Sequence, residues 1–302
     1  MSTGRWGPVL SCLLVLLLNG CVVSRGTAPD VLCTTSIVAD TVANVVGPEL
    51  SVERLMGPGV DPHTFAPTQR TIIDLARART VVFHGLHLEG QMAKVLNALA
   101  EVRSVYAITE ALPRDELLPA GQYAYDPHVW FDVRLWARTP EWVAEQLGMV
   151  FPEYRSTMRE RAAAYRKQLE ELDRWVEGQI HTIPPRQRVL VTAHDAFRYF
   201  GRRYGIEVVG LQGISTASEA GLADMHRLVE LIVSRQIKAI FVESSVPRRA
   251  VEALQLACRV RGHRVQIGGV LYSDALGPPG SGADTYVGMV KHNVRTIVRA
   301  LR

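Results

Sequence analysis

The chain has 302 residues, enough for two domains of ordinary size. Its 47% apolar content and mixed charges belong to a folded protein and exclude a disordered one. Net charge is +4, from 34 basic and 30 acidic residues with no long Lys/Arg run, which excludes the concentrated patch that nucleic-acid binding needs.

The first 20 residues read as a secretory signal peptide: Arg5 supplies a sparse positive start, an apolar run covers Leu13 to Leu18, and Asn19-Gly20-Cys21 closes it. That run is too short for a membrane-spanning helix, which needs about 20 apolar residues. Gly20 before Cys21, with Leu18 two residues further back, resembles a bacterial lipobox, in which the cysteine is acylated and becomes the mature N-terminus. Residues 21–30 then form a lipidated tether. Cys33 and Cys258 remain, read as small buried apolar residues rather than a pair.

Strands and helices alternate from there. Strands are expected at Val31–Ser36, Leu50–Met56, Val81–His84 and Val102–Ile108, with helices at Ile37–Val46, Thr68–Ala78 and Gln91–Leu99. Such a βαβα pattern implies a parallel sheet covered by helices. Arg114–Asp126 is polar and reads as a surface loop, and Val133–Leu147 as a helix broken near Pro140. From Pro152 to Ile183 the chain is rich in Arg, Glu, Ala and Leu, and Pro184-Pro185 forbids continuation. About 30 helical residues would span about 45 Å, more than one small domain. A helix linking two lobes follows, with lobes at 31–151 and 185–302 and the helix over 152–184. The second lobe repeats the alternation. Strands fall at Val189–Ala193, Glu207–Leu211, Ala239–Val242 and Arg264–Ile267. Helices fall at Ala196–Tyr204, Ser218–Ser234, Arg248–Arg261 and Thr285–Leu301. Asp195 and Ser218 are placed to cap the first two of these helices. The fold class is therefore α/β, with two lobes that each carry a mostly parallel four-stranded sheet.

Three segments end an apolar run in a turn and a histidine: Leu55–His63, Tyr125–His128 and Val189–His194. A fourth turn, Tyr272-Ser273-Asp274, carries an acid. In open α/β sheets ligands bind beyond the carboxyl ends of strands. The spacings of 65, 66 and 80 residues are too long for a zinc-finger module and suit a cleft between lobes. His63, His128, His194 and Asp274 are thus candidate ligands of one metal ion. The repeated Asp-Pro-His tripeptides suggest that Asp61 and Asp126 accept a hydrogen bond from the far nitrogen of each ring, although Asp-Pro also simply starts turns. Glu243 is a third candidate supporting group; a salt bridge to Arg248 is its other reading. Of the remaining histidines, His84 lies nearest the crevice and is a second choice. His87, His181, His226, His263 and His292 read as surface, turn or packing residues.

The chain resembles the metal-binding lipoproteins of bacterial ABC importers, the TroA, ZnuA, MntC and PsaA types, and the TroA type most. The resemblance runs through Cys33-Thr34-Thr35-Ser36, Gly57–His63, Asp126–Asp132, Thr192–Phe197, Ser215–Glu219 and Ser273–Gly277. It implies two α/β lobes joined by one rigid helix, with His63, His128, His194 and Asp274 around the cation. A third-position histidine implies zinc, or zinc and manganese in the TroA type. The lack of histidine in Arg114–Asp126 argues against a zinc-dedicated member. Imidazoles suit zinc, and affinity rises from manganese to zinc, whereas a bidentate Asp274 would raise coordination to five and suit manganese or iron; Zn2+ or Mn2+ is expected ahead of Fe2+.

The expected function is an extracytoplasmic solute-binding lipoprotein, held at the membrane through Cys21 in the periplasm or on the outer face of the cytoplasmic membrane. It would carry Zn2+ or Mn2+ to an ABC permease, as a monomer and without enzymatic activity. The rival readings are a metal-dependent hydrolase, which would keep an open coordination position for water, and a surface adhesin with a structural metal.

Overall fold

The computed structural model describes residues 28–121, 123–218 and 221–302. The signal peptide, Cys21 and most of the tether lie outside the described residues. The N-terminal lobe runs β1 (Val31–Cys33), α1 (Ser36–Val46), β2 (Val52–Arg54), α2 (Gln69–Arg77), β3 (Thr80–Phe83), α3 (Ala93–Ala100), β4 (Val105–Ala107), α4 (Val133–Trp136) and α5 (Thr139–Val150). Its four strands are all parallel, in the order β2-β1-β3-β4. Helix starts follow local chemistry. The Thr35 hydroxyl accepts the Val38 N–H at 3.2 Å to begin α1, and Thr68 and Thr71 cap α2 reciprocally. Pro140 sits in the first turn of α5, where its missing N–H costs nothing, so the expected break falls between α4 and α5.

Helix α6 (Arg155–Ile180) follows, 26 residues preceded by a 3-10 turn at Pro152–Tyr154. At 1.5 Å per residue it spans about 39 Å. Met158, Ala162, Tyr165, Leu169, Leu172, Val176 and Ile180 recur every three or four positions and form its buried stripe. That stripe packs against α1, α4 and α5, and against α7 and α10 of the other lobe. One continuous apolar core therefore includes both lobes and the helix between them. Polar anchors hold it at each end: Arg161 bonds the Val46 carbonyl, and Asp173 receives Arg203 and the Tyr204 hydroxyl. The helix is an embedded spine, which is why it is rigid.

The C-terminal lobe runs β5 (Val189–His194), α7 (Arg198–Tyr204), β6 (Glu207–Gln212), α8 (Leu222–Ser234), β7 (Ala239–Glu243), α9 (Arg249–Val260), β8 (Gln266–Leu271) and α10 (Tyr286–Leu301). The four parallel strands are hydrogen-bonded as two pairs, β5-β6 and β7-β8, with β5 and β7 side by side. Strand β8 lies two to four residues later than expected. Gly268 and Gly269 hid it: a Cβ on Gly268 would sit 2.6 Å from the Phe241 ring, and one on Gly269 2.6 Å from Thr296 Cγ2. Helix α10 lies directly on the strand there, so close approach overrides strand propensity. Two expected caps are also corrected. Helix α7 starts at Arg198 without a side-chain cap and α8 at Leu222 after Gly221, so neither Asp195 nor Ser218 caps a helix. Cys33 and Cys258 are separate, buried and free. Among the described residues no helix is long and apolar enough to cross a membrane.

Beneath the cleft the lobes are tied together. Trp130 Nε1–H donates to the Ser273 carbonyl at 3.0 Å, the Tyr286 hydroxyl to the Trp130 carbonyl at 2.6 Å, and Leu276 N–H to Ser36 Oγ at 2.9 Å. Phe131 and Phe197 stack with centroids 4.2 Å apart.

Candidate metal centre

Each of the four predicted side chains leaves the carboxyl end of a strand or the connection after it. His63 lies in the segment after β2, and His128 in the long connection after β4. His194 is the last residue of β5, and Asp274 sits in the turn after β8. Gly210 of β6 lets the chain after His194 pass closely: a Cβ there would stand 2.5 Å from the Asp195 nitrogen. The fold brings all four side chains to one point, with one nitrogen or oxygen of each within 4.8 Å of every other. His128 Nε2 is central, 3.3 Å from His63 Nε2, 3.4 Å from His194 Nε2 and 3.4 Å from Asp274 Oδ1. His194 Nε2 is 3.5 Å from Asp274 Oδ2. Donors about 2.0–2.1 Å from a tetrahedral zinc are separated by about 3.3–3.4 Å, so the spacing fits a bound cation. All four residues are buried, His63 the least at 7% exposure.

Supporting groups set the ring orientations. Asp126 Oδ1 accepts the His128 Nδ1–H at 2.7 Å, which fixes the tautomer and turns a bare Nε2 lone pair into the site. Glu243 accepts the His194 backbone N–H at 2.9 Å, and its other oxygen lies 2.6 Å from His194 Nδ1 but out of line for a good hydrogen bond. Arg248 pairs with Glu252 instead, leaving Glu243 to the histidine. Asp61 differs from expectation. It accepts the backbone N–H of His63 at 2.9 Å rather than a ring nitrogen, because the Asp-Pro-His turn closes locally.

The cluster is costly without a cation. Three imidazole nitrogens face one another, and buried Asp274 Oδ1 has no hydrogen-bond partner. Charge is arranged to match. Burial pushes His63 down to about 3, so that ring is neutral. Burial also opposes protonation of His128, yet the hydrogen bond and charge of Asp126, with Asp274, carry it above the usual imidazole range. His194 is raised further: Glu243 and Asp274 outweigh its burial. Burial would lift Asp274, but the neighbouring imidazoles hold it well below the usual carboxylate range. Asp126, Glu243 and Asp274 thus surround the three rings with acidic groups, which attract a dication.

His84 is not a ligand. Its ring stacks on Trp136, meets Trp130 edge-on at 4.9 Å and bonds the Pro127 carbonyl through Nε2 at 2.7 Å. It braces the backbone just before His128, and burial holds it down to about 3. His87 packs on Tyr123, while His263 and His292 bond the Ile237 and Val270 carbonyls. Sequence reasoning missed Ser245 and Ser273, whose hydroxyls donate to Asp274 Oδ2 at 2.8 and 3.2 Å. It also missed Glu89, which accepts the Thr34 hydroxyl and the His84 N–H where β1 and β3 end. Serines carry no spacing signal, and Glu89 sits in the mixed stretch Leu86-His87-Leu88-Glu89-Gly90-Gln91-Met92, where no pattern marks it. Asp126→Asn replaces the carboxylate with a neutral amide, which weakens its hold on the His128 ring. Chelator competition should show metal affinity falling about 10- to 100-fold; unchanged affinity would show that Asp126 does not set the tautomer.

The ZnuA family, described as zinc-uptake complex component A periplasmic, matches residues 31–300. The manganese-binding lipoprotein MntA of Bacillus subtilis (strain 168) is 44% identical over 308 residues, covering 100% of each chain. The zinc-binding protein TroA of Treponema pallidum (strain Nichols) is 44% identical over 301 residues, covering 97% of this chain and 98% of its own. The solved structure of periplasmic zinc-binding TroA from Treponema pallidum is similar with a TM-score of 0.88 at 46% identity, covering 90% of this chain and 99% of that one. These relatives are named as binding proteins, and neither the hydrolase nor the adhesin reading finds support among them. The family match spans nearly the whole described chain and encloses a buried cluster of three histidines and an aspartate: the chain belongs to the ZnuA family of periplasmic metal-binding proteins.

Proposed function

We propose that this protein is the extracytoplasmic solute-binding component of an ABC importer, capturing one Zn2+ or Mn2+ between its lobes and delivering it to a membrane permease. The observation that carries the reading is the convergence of His63, His128, His194 and Asp274 in a buried cleft with acidic groups behind the rings. The ion is cargo, and these four residues are its ligands, two from each of the lobes at 31–151 and 185–302. Three imidazoles favour zinc on intrinsic affinity. Asp274 turns one oxygen toward His128 and the other toward His194, which supports a fifth bond and so also manganese. Relatives of equal identity are named for each metal. Cys21 carries the lipid that keeps the monomer at the membrane.

The test is uptake of labelled zinc and manganese by a strain lacking this chain. Uptake of one or both metals should fall and return with the wild-type gene. A Cys21→Ala chain should appear in the soluble fraction and restore uptake less. Uptake equal to the parent strain would overturn the transport role.

A further inference from the structure

Three of the four ligands are firmly braced. Asp126 holds His128, Ser245 and Ser273 hold Asp274, and His194 ends a strand with its N–H on Glu243. His63 is different. It rides on the connection between β2 and α2 and is the most exposed of the four. Among the described residues its imidazole makes one contact at hydrogen-bond distance, to His128. Its backbone is held by Asp61 Oδ1. The other Asp61 oxygen accepts the Thr64 hydroxyl at 3.1 Å and, from the opposite lobe, the Thr216 hydroxyl at 2.6 Å. Thr216 lies in the connection after β6. The Asp195 N–H ties the base of that connection to Gly213, beside His194, and Ser215 Oγ accepts the Ala217 N–H.

We infer that the Thr216 hydroxyl is a cross-lobe latch, whose hydrogen bond to Asp61 keeps His63 on the metal and sets how fast the metal leaves. The inference rests on the metal-binding reading above. Among the described residues this is the only hydrogen bond from the C-terminal lobe to the Gly57–Thr68 segment. Other ties between the lobes, at Trp130, Ser36, the Phe131–Phe197 stack, and from Arg198, Tyr199 and Arg202 to the Glu116–Asp126 stretch, involve no residue of the Gly57–Thr68 segment. A hydroxyl on a carboxylate makes one of the stronger hydrogen bonds. Losing it leaves the turn that carries His63 without its hydrogen bond to the opposite lobe. Thr216 touches no metal and is a positioning residue; changes of this kind act mostly on the off-rate, so it governs release more than capture.

The experiment measures release of Zn2+ from the loaded full chain into excess 4-(2-pyridylazo)resorcinol by stopped flow. Thr216→Val, which removes the hydroxyl at constant shape, should release zinc roughly tenfold faster, while Thr216→Ser stays within about twofold of wild type. Capture rate and metal-free melting temperature should be unchanged. Thr216→Val releasing at the wild-type rate would overturn the latch. So would Thr216→Ser releasing as fast as Thr216→Val, or a loss of metal-free stability that accounts for the rate, since either assigns Thr216 to packing. Wild-type protein that takes up no zinc would instead overturn the metal reading itself, before any variant is compared.

Discussion

Replacing His128 with alanine is expected to weaken zinc binding by about a hundred- to a thousandfold. Structural zinc sites bind with roughly 10–16 kcal/mol shared over four ligands, or about 2.5–4 kcal/mol each, and tenfold in affinity is about 1.4 kcal/mol. His128 carries the largest effect because its Nε2 is the atom nearest all three other ligands. Its loss also removes the ring partner of buried Asp126, which keeps the backbone N–H of residue 128 at 3.0 Å and Arg198 at 3.4 Å. The same variant should lose most of the thermal stabilisation by metal, which for wild type at a thousandfold excess over Kd is about 4 kcal/mol. Isothermal titration and melting curves with and without zinc check both. A His128→Ala protein with wild-type affinity would remove this residue from the ligand set.

Acid is expected to expel the metal, and steeply. A metal ligand must be deprotonated, so each proton carried by the empty site competes with the ion. His128 and His194 sit above the ordinary imidazole range of about 6.5, so both hold protons in the empty protein at that pH and below. With two protons displaced per ion, affinity should fall by up to about a hundredfold per pH unit below pH 6.5, and the decline should begin above that value. His63, pushed down to about 3, and Asp274, held low, add nothing to the slope in this window. Binding, not metal-free stability, is the right readout. The raised His128 and His194 stabilise the empty fold below about pH 6.5, and that contribution is lost as pH rises through their folded values. The depressed His63 and His84 act in the opposite sense, since the unfolded chain binds their protons first as pH falls. Chelator-competition titrations from pH 5.5 to 8 should show the steep slope. A flat profile would mean that neither His128 nor His194 gives up a proton to the metal.

Alternating apolar runs and turns made the α/β class legible, because β1, β3, β5 and β7 are buried on both faces and read as continuous apolar segments. The convergence of His63, His128, His194 and Asp274 was legible for a related reason: a parallel sheet delivers its strand ends to one edge, so a histidine at such an end has a known destination. Strand β8 was displaced because its glycines answer to Phe241 and Thr296 across the fold. The caps at Asp195 and Ser218 failed because α7 starts three residues after Asp195 and α8 follows Gly221, whose N–H meets Asp224. Asp195 gives its N–H to Gly213 in the neighbouring connection, a partner no local pattern names.

Residue order alone therefore determined which side chains could meet at one point and that the ends of parallel strands in two lobes would present them, since strands, helices and their ends follow from local patterns. Only the packed structure decided how each ring is turned, that Asp61 grips a backbone rather than an imidazole, and that Thr216 crosses to it from the other lobe. The grips of Asp61 on His63 and of Asp126 on His128 span two residues, and the surrounding fold decides which atom each carboxylate meets; those of Glu243 on His194 and of Thr216 on Asp61 join residues 49 and 155 positions apart, distances that packing sets rather than any neighbour in sequence.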